Sequence, residues 1–413
     1  MNKNICYFYI IPSQHMPTRI QLFAGGFLLI LFIVFCIVYK NSMTNKIKSS
    51  GVDAIVAEAN FIKSAMVANG SSDDVLVGKC IGLTETEKWE VGGFSTIPGT
   101  IFVSVASYRD DECKDTVFDM FAKATHPDSV YVGVVQQNKE QTEDCFDKCP
   151  DCSKRKQSGH IRVTNFSYME AKGPTFARYH ASKLWQGEEF YLQIDSHLKF
   201  EQGWDVTLIE QMRLTGDTKA VVGGYPPTEE QMAQSRKNGY NETIVSCSNG
   251  LNEDGMPNIG SEVVASKPNH MPIKCMEMAA GLMCFPGTAL KDVPYDPFLS
   301  YAFFGEEILH SARLWTSGYN IYAIGKPIAT HHYGREGKPR YNTDHIESEG
   351  CRLVGMRRIQ YLLGLVPASA VHPDYLKDAE KYGLGKVRSI EEYWAKSGFH
   401  MDTKTTTKVC EVK

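Results

Sequence analysis

The sequence predicts an α/β protein whose mainly parallel, doubly wound sheet is flanked by helices. From Thr100 onward, apolar β-branched runs alternate with amphipathic helical patterns, the signature of consecutive β–α units. The runs are apolar almost throughout, as expected of strands buried on both faces. A composition of 43% hydrophobic and 22% charged residues is that of a globular chain, not a disordered, collagen-like or coiled-coil one.

TIFVSVASY (100–108) reads as the first buried strand, and DDECKDTVFDMFAKA (110–124) as a helix with acids in its first turn. VYVGVVQQ (130–137) and IRVTNF (161–166) are the next two strands. GPTFARYHASKLWQG (173–187) has Pro near its start and Gly at its end, the asymmetry of a helix. FYLQID (190–195) is a fourth strand, followed by a helix over GWDVTLIEQMRL (203–214). In such sheets ligands bind at the carboxyl ends of strands, so chemistry is expected where strands end.

The N-terminal region reads differently. Ile20 to Tyr39 form 20 uncharged residues, and at about 1.5 Å each they would span a bilayer core. The run exceeds the h-region of a signal peptide and lacks an A-x-A-like site, which favours an uncleaved anchor over a cleaved leader. The expected organisation is a tail over 1–19, a transmembrane anchor over 20–39, a stem over 40–98, a catalytic body over 99–370 and a C-terminal extension over 371–413 packed on it. Cations flank both sides of the span, so charge does not choose its orientation. Sequons at Asn69, Asn165 and Asn241, and ten of 12 cysteines beyond the anchor, favour a body in an oxidising lumen. Cys145, Cys149 and Cys152 could ligate zinc with His160, but the spacing is not a standard one, and disulfides are the expectation. Residues 1–40 hold three cations and no acid, which leaves −7 on the remainder out of a net −4. A body that acidic argues against a nucleic-acid partner.

Asp195-Ser196-His197 closes the fourth strand. Residues two apart in an extended chain point the same way, so the carboxylate and imidazole could reach one cation; one hard oxygen and one imidazole suit Mn²⁺, Zn²⁺ or Fe²⁺ better than Ca²⁺. The blander account is a turn in which Asp and Ser bond their own backbone. Downstream, Glu306 and Glu307 open an amphipathic helix, where the helix dipole alone would favour acids. His331 and His332 end a short β-like run, and only one of two adjacent strand residues should face the site. Trp204, Phe304 and Trp315 are aromatic candidates for sugar stacking; Trp315, at helical spacing, is expected in the core.

These motifs, in order, resemble the glycosyltransferase family 60 enzymes. The likeness is carried by IFVSVASYRDDEC (101–113), VGVVQQ (132–137), AKGPTFAR (171–178), YLQIDSHLKFEQGWD (191–205), PYDPFLSYAFFGEEILHSARLWTSGYN (294–320), HHYGR (331–335) and YGLGKVRSIEEY (382–393). A looser similarity extends to the polypeptide N-acetylgalactosaminyltransferases. The resemblance implies a GT-A fold, UDP-GlcNAc as donor, a divalent cation, foremost Mn²⁺, and retention of the anomeric configuration. Asp195 and His197 would bind the metal with His331, whose spacing to Tyr333 matches the family's His-x-aromatic pattern. Ser107, Tyr108, Arg109 and Gln136 would receive the nucleotide, with Arg178 near the uracil or phosphates or else ion-paired with an acid such as Asp195. Glu306 and Glu307 would line the sugar or acceptor side of the cleft. No general base is implied, because the departing phosphate can take the acceptor's proton.

The resulting expectation is a single-pass type II Golgi membrane protein that adds α-linked GlcNAc to Ser or Thr of secretory-pathway proteins. Hydroxyproline acceptors, as in cytoplasmic family members, and other UDP-sugars are the enzymatic alternatives. A membrane-anchored, carbohydrate-binding pseudoenzyme is the alternative of another class.

Overall fold

The computed structural model describes Cys80 and residues 91–334, 336–345 and 348–412, which belong to a compact unit spanning Asp74–Lys413. The expected anchor at 20–39 lies outside the described residues, as does Asn69. No helix among the described residues is long and apolar enough to cross a membrane.

Four parallel strands lead the fold: β1 (Ile97–Tyr108), β2 (Val130–Asn138), β3 (Ile161–Ser167) and β4 (Glu188–Asp195). Between and after them run α1 (Cys113–Lys123), α2 (Cys152–Gln157), α3 (Pro174–Ser182), the short β5 (Leu198–Phe200) and α4 (Trp204–Leu214). β6 (Ala220–Gly223), α5 (Glu229–Lys237), the hairpin β7 (Glu242–Leu251) and β8 (Pro257–Ala265), β9 (Ile273–Cys275) and β10 (Leu282–Pro286) follow. α6 (Glu306–Thr316), β11 (Asn320–Ala323), β12 (Ala329–His331), α7 (Glu349–Leu362) and α8 (Ile390–Ser397) complete the site-bearing part.

Eight strands form one sheet in the order β3-β2-β1-β4-β10-β6-β11-β9. β10 runs antiparallel to both neighbours and β9 antiparallel to β11; the other pairs are parallel. The mainly parallel sheet expected from the sequence is present, with two reversed strands the pattern did not announce.

Strand alternation places Ile101, Val103 and Val105 on one face, packed with Val117 and Met120 of α1 and Trp204 and Leu208 of α4. Phe102 faces the other way, in a cluster with Phe176 and Tyr179 of α3 and Leu314 of α6. A third cluster packs Ile308, Leu309 and Trp315 of α6 against Ile359 and Leu362 of α7 and Tyr393 and Trp394 of α8. Trp315 is therefore core, as expected. Trp204 is core as well: it is fully buried, and its indole N–H donates to the Met120 carbonyl at 2.9 Å.

Two boundaries differ from the sequence expectation. β1 begins at Ile97, inside the segment read as stem, and its pairing with β4 is irregular between Ile97 and Ile101, at left-handed Gly99. α3 ends at Ser182 instead of continuing to Gly187. There the chain turns so that Trp185 enters the core and donates to the Glu188 carbonyl, and Gly187 (φ 109°) passes close to the Ser95 backbone.

Among the described residues four disulfides are formed: Cys80–Cys351, Cys113–Cys145, Cys149–Cys152 and Cys247–Cys410. Cys145, Cys149 and Cys152 are thus committed to disulfides and not to zinc. Cys80, also inside the expected stem, is buried against the body by its bond to Cys351. At the other end, Cys410 and the hydrogen bond from Val412 N to the Lys274 carbonyl tie the C-terminal residues to β7 and β9. Asn165 and Asn241 are exposed.

Candidate active site

A cleft of about 750 Å³ opens at the carboxyl ends of β1, β2 and β4. Asp195 is the last residue of β4. The chain then turns through Ser196 and His197 into β5, which pairs antiparallel with β12 so that His331 lies opposite Leu198. This ribbon brings together histidines 134 positions apart in the chain, with ring centroids 4.7 Å from each other. One ligand-capable atom from each of Asp195, His197 and His331 lies within 4.8 Å of the others. His332 also lines the cleft but places its Nδ1 2.9 Å from Glu112.

The carboxylate of Asp195 is shared between two cationic or polar neighbours. Its Oδ1 accepts from Arg178 at 2.9 Å, and its Oδ2 lies 3.1 Å from His331 Nε2. Burial alone would raise its pKa; the His331 hydrogen bond and the Arg178 charge outweigh that and hold it below the ordinary carboxylate range. Gly281 of the crossing strand edge sits directly beside it. A Cβ there would lie 3.0 Å from Asp195 Oδ2, so glycine keeps this approach open.

Arg178 also pairs with Glu306, which makes an Asp195–Arg178–Glu306 bridge along the cleft wall, largely buried at Arg178 and Glu306 and 30% exposed at Asp195. Left-handed Gly305 (φ 88°) turns the chain into α6 and presents the two acids at its first turn. Glu307 accepts from Ala280 N at 2.8 Å and from the Tyr225 hydroxyl at 3.0 Å. Burial pushes the pKa of both acids up, partly offset at Glu306 by Arg178 and at Glu307 by its hydrogen bonds.

The residues expected at the nucleotide separate into two groups. Tyr108 and Arg178 line the cleft. Ser107 is fully buried, and Gln136 points away, its side chain donating to Asn165 at 3.1 Å and accepting from Cys145 N at 2.7 Å. Gln137, on the opposite side of β2, lines the cleft instead, as strand alternation requires. Arg109 does not line the cleft; it pairs with Asp344 at 2.6 Å and Glu143 at 3.3 Å. Asp344 also accepts from Tyr108 at 2.9 Å, which locks the segment 341–345 over the end of β1.

Tyr225, Pro226 and Phe303 line the cleft without having been singled out in the sequence, whereas Tyr333 and Phe304 had been. Tyr225 and Pro226 follow β6, and Tyr333 donates to the Pro226 carbonyl at 2.7 Å while its ring packs 4.1 Å from that of His331. Phe303 and Phe304 stand exposed at the mouth, 62% and 36% accessible, where an incoming ligand would meet them. A smaller pocket of about 460 Å³ beside α5 shares only Tyr225 with this cleft and contains none of the candidate residues.

The family model described as Glycosyltransferase (GlcNAc) matches residues 100–154 and 148–402. The chain belongs to this glycosyltransferase family. The match begins at β1 and ends after α8, so it contains every residue of the cleft described above. No curated protein sequence matches the chain.

Among solved structures, it is similar to GalNAc-T7 crystallised with UDP, GalNAc and Mn²⁺, at 12% identity and TM-score 0.49 over 76% of this chain and 58% of that one. It is also similar to S. aureus TarS 1–349 in complex with UDP-GlcNAc (15% identity, TM-score 0.39, 66% and 68% covered). A third is the mannosyltransferase PcManGT from Pyrobaculum calidifontis with GDP-Man and Mn²⁺ (15% identity, TM-score 0.36, 79% of each chain). The chain thus spans less than two thirds of the GalNAc-T7 chain.

Proposed function

We propose that this glycosyltransferase transfers N-acetylglucosamine from UDP-GlcNAc to Ser or Thr hydroxyls of secretory-pathway proteins, with retention and with Mn²⁺ as cofactor. The observation that carries the reading is the convergence of Asp195, His197 and His331 in the cleft of a GlcNAc-glycosyltransferase chain. One carboxylate and two imidazoles, with the backbone held back by Gly281, fit a first-row divalent cation. Asp195, His197 and His331 would hold it. Bound there, the cation would supply charge neutralisation for the nucleoside diphosphate leaving group.

The chain's own side chains do the remaining work. Arg178 fixes Asp195 in place through Oδ1, while Oδ2 lies beside His331. Glu306 is held by Arg178 and Glu307 by Tyr225, so both serve to shape the sugar and acceptor side, and neither is offered as a base. In a retaining transfer the departing phosphate oxygen takes the acceptor's proton. The exposed Phe303 and Phe304 would give a protein acceptor an apolar landing at the cleft mouth. Four disulfides support an oxidising lumen as the site of action, with the 20–39 segment as the Golgi anchor of a type II protein.

The test is UDP release by the purified protein with a Thr-rich peptide, with and without Mn²⁺. UDP-GlcNAc, UDP-GalNAc and UDP-glucose are compared. Peptide-dependent release with UDP-GlcNAc and Mn²⁺ is the expected result. Release with UDP-GalNAc or UDP-glucose in its place would overturn the donor assignment, and metal-independent release would overturn the cofactor assignment.

A further inference from the structure

Asn165 heads the triplet Asn165-Phe166-Ser167, which fits the N-x-[ST] pattern of an N-glycosylation acceptor. It lies on β3, the last strand at its edge of the eight-stranded sheet, and it is exposed. Its register partner on β2 is Gln136. The hydrogen bonds around Gln136 fix which end of the Asn165 amide faces the sheet. A backbone N–H can only donate, so the bond from Cys145 N at 2.7 Å makes its acceptor the Oε1 of Gln136. Nε2 of Gln136 then donates, and at 3.1 Å it meets Oδ1 of Asn165. Nδ2, the atom that would carry a glycan, is left clear of that bond. Ser167 is exposed too, its hydroxyl accepting from Met169 N at 3.3 Å. The triplet at Asn241 differs: Thr243 is buried and donates to the Ile324 carbonyl at 2.6 Å, so folding withdraws its hydroxyl.

We propose that Asn165 is an N-glycosylation site whose glycan the folded protein carries outside the cleft and without loss of a hydrogen bond. The inference rests on the reading of the body as lumenal. In the transfer, Nδ2 attacks C1 of an oligosaccharide held on a polyprenyl diphosphate. The C1–N bond forms as the C1–O bond breaks; the lipid diphosphate leaves with the bonding electrons, and Nδ2 gives up one proton. The amide oxygen takes no part, so Oδ1 goes on accepting from Gln136. Gln136 and Asn165 share one face of the sheet, whereas Gln137, on the other face, lines the cleft. A bulky, solubilising sugar at this exposed edge therefore stands clear of the site.

The experiment uses the full chain, expressed in eukaryotic cells, with Asn69→Gln and Asn241→Gln so that Asn165 heads the remaining sequon. A second form adds a flexible tail after Lys413 bearing one further sequon, which reports whether the body has entered the lumen. Peptide N-glycosidase F removes N-glycans and leaves aspartate at the attachment point, marked by oxygen from heavy-oxygen water. The expected result is a loss of apparent mass on treatment, with the label on the peptide that contains Asn165. Asn165→Gln abolishes both. The modification is read on the chain itself, so the result stands whether or not a variant folds well.

A glycosylated tail on a chain whose Asn165 stays bare would overturn the proposal and leave the lumenal reading standing. A chain bare at both positions would overturn the two together. Removal of the glycan from the folded protein should leave UDP binding and thermal unfolding unchanged. Altered UDP binding would overturn the placement outside the cleft, and a rise in unfolding temperature would overturn the retained bond to Gln136.

Discussion

Arg178 offers the sharpest test of how the cleft is held together. Its side chain is 7% exposed and bridges Asp195 and Glu306, which is 13% exposed. Arg178→Met keeps much of the volume and removes the charge. Asp195 retains His331, but Glu306 loses the one ion-pair partner described for it. Breaking a buried pair typically costs about 3–5 kcal/mol. Glu306 can limit that cost by taking up a proton: from a reference pKa of 4.5, protonation at pH 7 costs roughly 3.4 kcal/mol at about 1.36 kcal/mol per unit. At pH 5 the same escape costs only about 0.7 kcal/mol. The expected loss is therefore about 3 kcal/mol at pH 7, falling toward about 1 kcal/mol near pH 5, read by urea unfolding at both values. Adding Glu306→Gln to the variant should restore most of the loss at pH 7 and abolish its pH dependence. A loss below about 1 kcal/mol at pH 7, or one equal at both pH values, would refute the bridge as a buried, charged structure.

Asp195→Ala and His331→Ala are each expected to abolish transfer and Mn²⁺-dependent UDP binding while circular dichroism stays unchanged. Because linkage is reciprocal, UDP should tighten Mn²⁺ binding by the same factor that Mn²⁺ tightens UDP binding, measured as two titrations of one protein. Gly281→Ala should weaken Mn²⁺ binding through its contact with Asp195 Oδ2 and cost about 1–3 kcal/mol or less in unfolding free energy. Glu277 is buried with neither carboxyl oxygen bonded, and burial pushes its pKa well up. The folded chain then keeps a proton that the unfolded chain releases above 4.5, so stability should fall with rising pH by up to about 1.4 kcal/mol per unit until the folded group ionises. Glu277→Gln removes that slope in urea titrations from pH 5 to 8.

What the sequence revealed and what it hid follow from distance along the chain. β1 to β4 and their helices are long, apolar and periodic, so their types and approximate ends were legible. So was Asp195, because it closes a strand whose direction the preceding β–α units set. The choice of His331 over His332 rested on the family resemblance, and in the structure His331 lies beside Asp195 while His332 lies beside Glu112. The reversed β10 and three-residue β9 were not legible, since runs that short carry no signal of direction. Nor was the burial of Asp110. Left-handed Arg109 (φ 47°) redirects the chain after β1, and nothing in an Arg-Asp-Asp-Glu stretch says which acid turns inward. Gln136 and Gln137 show the same limit at its smallest: adjacent identical residues on one strand, of which alternation sends a single one to the cleft.

The charges of the cleft explain why a cation belongs in the proposed reaction at all. Among the described lining residues, Asp195, Glu306 and Glu307 face Arg178 and Arg340. Arg178 is already engaged by two of the acids. A nucleoside diphosphate brings further negative charge into this wall, and repulsion at such separations is weakly screened once water is excluded. Among the described lining residues, Arg340 alone adds a guanidinium that Asp195 and Glu306 do not engage. The Oδ2 edge of Asp195, beside His331 and within 4.8 Å of a His197 nitrogen, is the place where added positive charge gains from the wall and the donor together. Arg178 keeps that edge oriented without occupying it, so the acid can serve a structural bridge and a cation at once.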